Sequence, residues 1–322
     1  MPIFLSPPPA DPFPPELQKI GIVSPSSPSD PEKFREAEEF LLSIGKQPSF
    51  GRHVLSGAAE SFFAAENHER LSDINAAIRD ETLPLILCAR GGYGSAYLLK
   101  DLDYENLRAQ KKILCGYSDI TAIHLAMAKF RSGIGVSSPM FTGLPEKLSH
   151  YSTAKSMKRA LKKAWSMRGG SREEEMGFFT QLKQLNSFAK ESRNFSGKAA
   201  PMNLTLLTRL CGTPYLPDFR ESFLILEEVG EPPRKIDFSF LQLHLAGILE
   251  NCRGIILGDY THCGEKDALE KVFRRLGEMV PVPLWQGLPF GHGLHSASLV
   301  WGETIEISSG GEVFLSGGEA WF

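Results

Sequence analysis

Residues 111–130 read KKILCGYSDITAIHLAMAKF, and this stretch decides the fold. The apolar run KKILCGY predicts a buried strand that stops at Ser118, and the residues from Ile120 to Phe130 predict a helix that follows directly. A strand that turns straight into a helix is a repeating unit of α/β proteins. The serine at this turn is therefore the first candidate for chemistry.

The same unit recurs on both sides of this stretch. Further predicted strands are Lys19–Val23 and the runs LPLILCA and GIGVSSP, and further helices are predicted after Asp30, after Ser72 and near Ser95–Leu99. Asp30 is the expected N-cap of the first helix, with Pro31 at its first position and Gly45 just past its end. Ser72 is the expected cap of the next. We therefore predict an N-terminal α/β domain with a parallel sheet at 17–150, after an extended proline-rich lead-in at 1–16.

The second half of the chain has a different pattern. Short strands are predicted at SFLILEE, RGIILGDY, TIEISS and EVFLSG, with a helix around Phe238–Leu249. This pattern predicts a smaller, strand-rich α+β domain at 201–322. Residues 151–200 are rich in Lys, Arg, Ser and Glu, with one helical stretch near Ala154–Ser166, and are expected to form the crossover linker between the domains.

Composition excludes several classes of protein. The chain has 322 residues and a formal net charge of -3, so no basic excess favours nucleic acid or an anionic membrane as a partner. A run of about 20 apolar residues, which a membrane-spanning helix needs, does not occur in the sequence. The five cysteines are scattered and contain no C-x-x-C pair, which argues against a disulfide framework or a cysteine-rich zinc site. We expect a cytoplasmic protein.

Ser118 lies in the tetrapeptide Gly116-Tyr117-Ser118-Asp119 and has two interpretations. A nucleophile elbow needs this strand–turn–helix context, because the turn exposes the hydroxyl next to the free N–H groups of a helix N-terminus. Serine is also a common helix N-cap, and Ile120 breaks the G-x-S-x-G pattern. On the tetrapeptide alone, the N-cap interpretation is favoured.

Two further segments carry candidate residues at predicted strand ends. Arg90-Gly91-Gly92-Tyr93-Gly94 combines glycines, which allow close backbone approach to a ligand, with an arginine that can pair with a carboxylate or phosphate. A tight turn with a solvated arginine explains the same residues. Glu227, Glu228 and Glu231 follow the strand SFLIL, and strand alternation places the first two on opposite faces.

The loop Gly291-His292-Gly293-Leu294-His295 offers a general base, because loops often carry function. The two histidines also suggest metal ligands, but no third ligand is suggested nearby. The remaining histidines are scattered, and we interpret His124 and His244 as helix-surface or packing residues. Ser, Glu and His in this chain order form a candidate triad, although spacing alone does not establish one.

Seven segments, taken in order, resemble one family. The sequence resembles the LD-carboxypeptidases of serine peptidase family S66, which includes muramoyl-tetrapeptide carboxypeptidases and microcin-C self-immunity hydrolases. The segments that carry the resemblance are GIVSPSSP, ILCARGGYGSAYLL, ILCGYSDITAIHLAM, NLTLLTRLCGTPYLPD, LILEEVGEPPRKID, GIILGDYTHC and LPFGHG.

The resemblance implies a serine carboxypeptidase with its site in a cleft between two domains and without metal or organic cofactor. It implies Ser118 as nucleophile, His292 as general base and Glu227 as the orienting acid, with Glu228 and Glu231 as alternatives. The backbone N–H groups of Asp119 and of Gly92, in the Gly91–Gly92 turn, would form the oxyanion hole.

The substrate that the resemblance implies is a murein tetrapeptide, which loses D-alanine during cell-wall recycling. Arg90 is the candidate for binding the substrate carboxylate, and Tyr93 is a second substrate-binding candidate. Family members often form homodimers, which makes a homodimer a candidate for this chain, whose oligomeric state the sequence leaves open.

Two segments depart from the family pattern. Ser137-Ser138-Pro139 stands where the family usually has His-Gly-Pro, and Pro201-Met202 precedes Asn203-Leu204 where the family usually has Gly-Gly. Proline fixes φ and removes an N–H donor, so these changes affect the pocket rather than the triad. A microcin-type hydrolase of aminoacyl-nucleotide amides and a non-catalytic binding homologue therefore remain alternatives.

Overall fold

In the first half of the chain, short buried strands alternate with helices. The computed structural model describes residues 11–57, 61–169, 177–190 and 193–316. The strands of this half are β1 (Lys19–Val23), β2 (Gln47–Phe50), β3 (Leu85–Cys88), β4 (Ile113–Cys115) and β5 (Ile134–Ser137). The helices are α1 (Pro31–Ser43), α2 (Asn67–Arg79), α3 (Tyr104–Ala109), α4 (Thr121–Phe130), α5 (Leu144–Leu148) and α6 (Tyr151–Gly169). Short 3-10 turns lie at Ser95–Leu98, Ser118–Ile120, Phe141–Gly143 and Phe188–Lys190.

The second half is richer in strands, as the sequence predicts. Its strands are β6 (Gly177–Gln181), β7 (Lys183–Gln184), β8 (Phe195–Asn203), β9 (Ser222–Val229), β10 (Gly254–Thr261), β11 (Leu284–Gln286), β12 (Leu299–Val300), β13 (Thr304–Ile307) and β14 (Glu312–Ser316). Its helices are α7 (Leu204–Arg209), α8 (Pro233–Leu245) and α9 (Lys266–Met279). None of the helices in the described ranges is long and apolar enough to cross a membrane.

The strands form two sheets. The first has the order β12-β5-β4-β3-β1-β2 and is parallel except for β12, which pairs antiparallel with β5. The second has the order β6-β14-β13-β8-β9-β10-β11-β7, with a parallel centre formed by β8 to β11. One apolar core contains buried side chains from both halves, including Leu114 of β4 and Leu226 of β9. The predicted α/β class and the two-part architecture are confirmed.

The segment at 151–200 differs from the predicted crossover linker. Helix α6 buries one face, including Met157, Ala160 and Leu161, in the apolar core beneath the first sheet. Strands β6 and β7 belong to the second sheet. Because nearly every second or third residue of α6 is apolar or small, the helix can pack despite its many charges. The described parts of this segment are therefore elements of the two layers, whereas the domain bounds themselves stay a prediction.

The observed helix starts confirm one predicted N-cap and contradict another. Asp30 caps α1 as predicted, accepting hydrogen bonds from Glu32 N at 2.9 Å and Lys33 N at 3.0 Å. The predicted cap at Ser72 is wrong: α2 begins at Asn67, where Glu66 and Glu69 form a capping box, and Ser72 lies inside the helix. Helix α8 also begins and ends earlier than the predicted Phe238–Leu249.

Candidate active site

The nucleophile candidate occupies a strained turn between β4 and α4. Ser118 has φ of 61°, in the left-handed region that favours glycine. Its side chain makes no capping hydrogen bond, and the N-cap of α4 is Ile120, so the N-cap interpretation of Ser118 is wrong. A non-glycine residue held in this region costs about 1–3 kcal/mol and is typical of functional turns. The geometry is that of a nucleophile elbow.

Asp119 is buried and anchors this turn. Its Oδ2 accepts hydrogen bonds from Ser26 Oγ at 2.6 Å and from Ser95 N at 2.8 Å, and Ser95 Oγ donates to Asp119 O at 2.7 Å. The loop after β1 and the turn after β3 thus both hold the Oδ2 atom of this side chain. Its backbone N–H lies at the start of a helical turn, where amides lack an intrahelical partner.

The Gly91–Gly92 turn approaches Ser118 closely. A Cβ on Gly91 would lie 3.0 Å from Ser118 Cβ and 3.2 Å from Ser118 Oγ. Gly92 has φ of 111°, and a Cβ there would lie 2.4 Å from Ser27 Oγ. Glycine at position 91 lets this backbone pass close to Ser118, which brings the predicted oxyanion turn beside that side chain.

Glu227 contacts His292. Its Oε2 lies 2.7 Å from His292 Nδ1, and the carboxylate is 1% exposed at the end of β9. Glu228 instead accepts from Thr205 N at 2.9 Å and from Val229 N, while Glu231 pairs with Lys235 at 3.0 Å. Of the three acids considered from the sequence, the structure therefore brings Glu227 to the imidazole.

Asn203 is a site residue that sequence reasoning missed. Its Nδ2 lies 3.1 Å from both Glu227 Oε1 and Glu228 Oε1, although strand alternation predicts that those two side chains diverge. Asn203 also caps α7 through Leu206 N at 3.1 Å. The pairing of β8 with β9 places Asn203 directly opposite Glu227. The available signal was its position in one of the segments that resemble the family.

His292 lies beside the turn that carries Ser118. Its ring centroid is 4.8 Å from that of Tyr117, the residue before Ser118. Among the described residues, no hydrogen bond joins Ser118 Oγ to the imidazole. Burial raises the pKa of the Tyr117 phenol to about 12, so this side chain is neutral at physiological pH. The Glu–His contact of the candidate triad is therefore formed, and the His292 ring lies next to the residue that precedes Ser118.

Asp259 and Lys147 flank the turn that carries His292. Burial, followed by repulsion from Glu227, raises the pKa of Asp259 to about 6, although Gly293 N–H donates to its carboxylate. Lys147 donates to His292 O at 3.3 Å and to Gly293 O. Burial lowers the pKa of Lys147. Neither residue was a candidate from the sequence.

The metal interpretation of His292 and His295 finds no support in the geometry. His295 Nδ1 lies 3.2 Å from Ser152 Oγ, while His292 Nδ1 contacts Glu227. Within the described ranges, no three His, Cys, Asp or Glu side chains are grouped to hold a metal ion. His124 is a packing residue, with its Nε2 3.0 Å from Leu114 O.

Arg90 and Tyr93 lie on the turn after β3, at the margin of the site. Arg90 is exposed and donates from Nη1 to Pro28 O at 3.0 Å. Tyr93 is 43% exposed, and its ring stacks on Phe63 at a centroid distance of 5.6 Å. Both side chains face solvent and are available to a ligand, but neither has a contact that defines a carboxylate pocket.

The two segments that depart from the family pattern touch each other. Ser137 Oγ donates to Pro201 O at 3.2 Å and accepts from Trp301 Nε1 at 3.2 Å. A cavity of about 10 Å³, near the minimum for one water, lies between Tyr117, Ser138, Pro139, Lys147 and the turn at Gly291. Met202 is buried in the core. The two departures are therefore in contact, and the segment Ser137–Pro139 is the one that lines the cavity.

Two family models match this chain. The LD-carboxypeptidase N-terminal domain matches residues 20–136, and the LD-carboxypeptidase C-terminal domain matches residues 196–307. The chain belongs to the LD-carboxypeptidase family. As a member of this family of serine peptidases, it is a peptide hydrolase.

Curated relatives of this LD-carboxypeptidase family member carry consistent names. A probable murein peptide carboxypeptidase of Bacillus subtilis is 30% identical over 281 residues, covering 85% of this chain and 83% of the relative. The murein tetrapeptide carboxypeptidase of Pseudomonas aeruginosa is 28% identical over 295 residues, covering 90% of this chain and 92% of the relative.

Solved structures share the fold of this member of the LD-carboxypeptidase family. Muramoyltetrapeptide carboxypeptidase from Oxalobacter formigenes has a TM-score of 0.75 at 24% identity and covers 94% of this chain and 99% of its own. MccF in complex with glutamyl sulfamoyl guanosine has a TM-score of 0.77 at 20% identity, covering 94% of this chain and 97% of its own.

Proposed function

We propose that this protein is a serine LD-carboxypeptidase that releases D-alanine from murein tetrapeptide. The observation that carries the proposal is the contact between Glu227 and His292 beside the strained Ser118 turn, in a chain whose family hydrolyses peptides. Murein peptides are the substrate class in the names of both curated relatives described above. A cytoplasmic location is part of the proposal and rests on the sequence, and a homodimer is part of it only through the resemblance to the family.

The first half of the proposed reaction forms an acyl-enzyme. His292 takes the proton of Ser118 Oγ as that oxygen attacks the scissile carbonyl carbon. Negative charge develops on the carbonyl oxygen, which the backbone N–H groups of Asp119 and Gly92 stabilise. His292 then gives the proton to the leaving amine, the C–N bond breaks, and the D-amino acid departs.

The second half returns the enzyme to its starting state. Water enters the position of the departed amine, His292 takes one of its protons, and the hydroxide oxygen attacks the ester carbon. The ester bond to Ser118 breaks, and His292 returns the proton to Ser118 Oγ. Glu227, held by Asn203, stabilises the imidazolium in both halves and fixes the ring orientation.

The leaving residue carries a free carboxylate, which calls for a cation near the site. Arg90 is our candidate, because it lies on the turn that approaches Ser118 and its guanidinium is exposed. Tyr93, two residues past the closely approaching Gly91, is a candidate for packing against the substrate. Both assignments derive from their place on the turn after β3.

The test is D-alanine release from L-Ala-γ-D-Glu-mDAP-D-Ala, followed by mass spectrometry. Wild type should release D-alanine, Ser118→Ala should not, and the matched control Ser132→Ala, a buried serine at the far end of α4, should match wild type. A tetrapeptide ending in L-alanine should stay intact.

A parallel reaction with aspartyl sulfamoyl adenosine separates the alternatives. A solved MccF structure contains this compound. Cleavage of the nucleoside alone would overturn the murein assignment in favour of the microcin-type hydrolase. Failure to cleave either compound by folded wild type would favour the non-catalytic homologue.

A further inference from the structure

The turn that carries His292 is held from the other half of the chain. We define the histidine loop as residues 291–298. Lys147, on the short helix α5, donates to His292 O at 3.3 Å and to Gly293 O. These are charge-assisted hydrogen bonds, which are stronger than neutral ones. One ammonium group therefore hydrogen-bonds to the backbone of His292 itself and of the next residue.

Side chains of helix α6 hydrogen-bond to the rest of the histidine loop. Thr153 Oγ1 donates to Leu294 O at 3.2 Å and accepts from Ser296 N at 3.2 Å. One turn later, Ser156 Oγ accepts from Ser298 N at 2.9 Å, and Arg159 donates to Ser298 O at 2.8 Å. Residues three apart on a helix lie on the same face, so these three side chains bind successive backbone groups of the histidine loop.

The second sheet contacts the opposite side of the histidine loop. Gly293 N–H donates to Asp259 on β10, and a Cβ on Gly293 would lie 2.7 Å from Asp259 Oδ2. A Cβ on Gly291 would lie 3.0 Å from Glu227 Oε2. The loop is thus sandwiched between α5–α6 on one side and the ends of β9 and β10 on the other.

We propose that Lys147 is a positioning residue that holds the His292 imidazole in line between Glu227 and Ser118. Glu227 fixes only one ring nitrogen, and a ring held at one point can still pivot if its backbone shifts. Lys147 supplies the second fixed point, through the backbone, from the half of the chain that carries Ser118. Alignment of base and nucleophile then depends on α5 being docked against the histidine loop.

This role differs from that of a substrate-binding cation. An ammonium has three donors, and two of those of Lys147 are taken by carbonyl oxygens of the histidine loop. The charged neighbours that act on it are Glu146 on its own helix and Asp259 on β10. Loss of the lysine should therefore affect the chemical step rather than substrate affinity. The inference rests on the proposed role of His292.

The kinetic test compares Lys147→Met, Lys147→Gln and Lys147→Arg with Lys155→Met, which removes an exposed lysine from α6. Misplacement of a catalytic group by about 1 Å costs up to about 100-fold in rate, so kcat for D-alanine release should fall about 10- to 100-fold in the first two variants. KM should stay near the wild-type value, and arginine should restore most of the rate. An increase in KM with unchanged kcat, or wild-type kcat in both neutral variants, would overturn the proposal.

Amide hydrogen exchange provides a readout that does not depend on activity. Exchange across residues 291–298 should quicken in Lys147→Met and Lys147→Gln and stay unchanged in Lys155→Met. Unchanged exchange in both Lys147 variants would overturn the inference even if wild type proved inactive on murein peptides. Wild-type inactivity would instead count against the proposed function, so the two failures are distinguishable.

Discussion

Glu227 Oε2 lies 2.7 Å from His292 Nδ1, although the two residues are 65 positions apart in the chain. The other carboxylate oxygen accepts from Asn203 Nδ2 at 3.1 Å. A buried carboxylate with both oxygens engaged is rigid, and its charge is available to an imidazole that takes up a proton. This arrangement defines which nitrogen of His292 is free to face Ser118.

Glu227→Gln should lower kcat by roughly 10³–10⁴-fold, because an amide in place of the orienting carboxylate favours the wrong imidazole tautomer. Glu228→Gln should retain most activity, since Glu228 contacts backbone N–H groups rather than the ring. Steady-state kinetics of D-alanine release on both variants checks this. Equal losses in the two variants would contradict the assignment of Glu227.

Ser118→Gly and Ser118→Ala should both be inactive but should differ in stability. Glycine relieves the left-handed backbone at φ of 61°, whereas alanine retains its Cβ. We expect Ser118→Gly to exceed Ser118→Ala in free energy of unfolding by about 1 kcal/mol. Urea unfolding measures the difference. A glycine variant that is less stable than the alanine variant would show that the turn is not strained.

Gly91→Ala should reduce kcat about 10- to 100-fold, because the added Cβ would press on Ser118 and displace the nucleophile. Gly169→Ala is the matched control, as a Cβ there meets nothing within 4 Å. Steady-state kinetics measures the change in kcat, and a melting curve shows whether each variant is folded. Wild-type kcat in Gly91→Ala would mean that this turn does not border the reacting atoms.

Asp259 should make stability depend on pH. Its pKa is about 6 in the folded protein, because of burial and the nearby Glu227, against an ordinary value of 3.8. Between pH of about 4 and about 6, the folded protein therefore keeps a proton on Asp259 that the unfolded chain has lost. The contribution of Asp259 to the free energy of unfolding decreases as the pH rises through this range. Lys147 and His292 oppose the shift.

Asp259→Asn removes this titration and should flatten the decrease. Urea unfolding of wild type and variant at several pH values between 4 and 7 measures the difference. A free energy of unfolding that changes with pH in parallel for the two proteins would contradict the raised pKa of Asp259.

Local sequence signals predicted the elements that bear the site. The strand and helix around Ser118 follow from apolar patterning. Asp30 and Pro31 predict the start of α1, because the capping residue and the first turn of the helix are adjacent in the sequence. The predicted cap at Ser72 is wrong because Glu66 and Glu69, which form the capping box, start the helix six residues earlier than apolar patterning indicated.

Tertiary contacts explain what the sequence left open. Glu227, Glu228 and Glu231 look alike in the sequence, and only the pairing of β8 with β9 and the path of the histidine loop bring Glu227 to His292. Lys147 and Asp259 contact backbone atoms of Gly293, and because every residue has these atoms, the sequence does not indicate such contacts. The contact between Ser137 and Pro201 likewise joins two segments that the sequence treats as separate departures.

The proposed mechanism requires that Ser118 becomes acylated. Rapid quenching of wild type with tetrapeptide, followed by digestion and mass spectrometry, should find the acyl group on the peptide that contains Ser118 and on no peptide of Ser118→Ala. An acyl group on another residue, or D-alanine release by Ser118→Ala at the wild-type rate, would contradict the account.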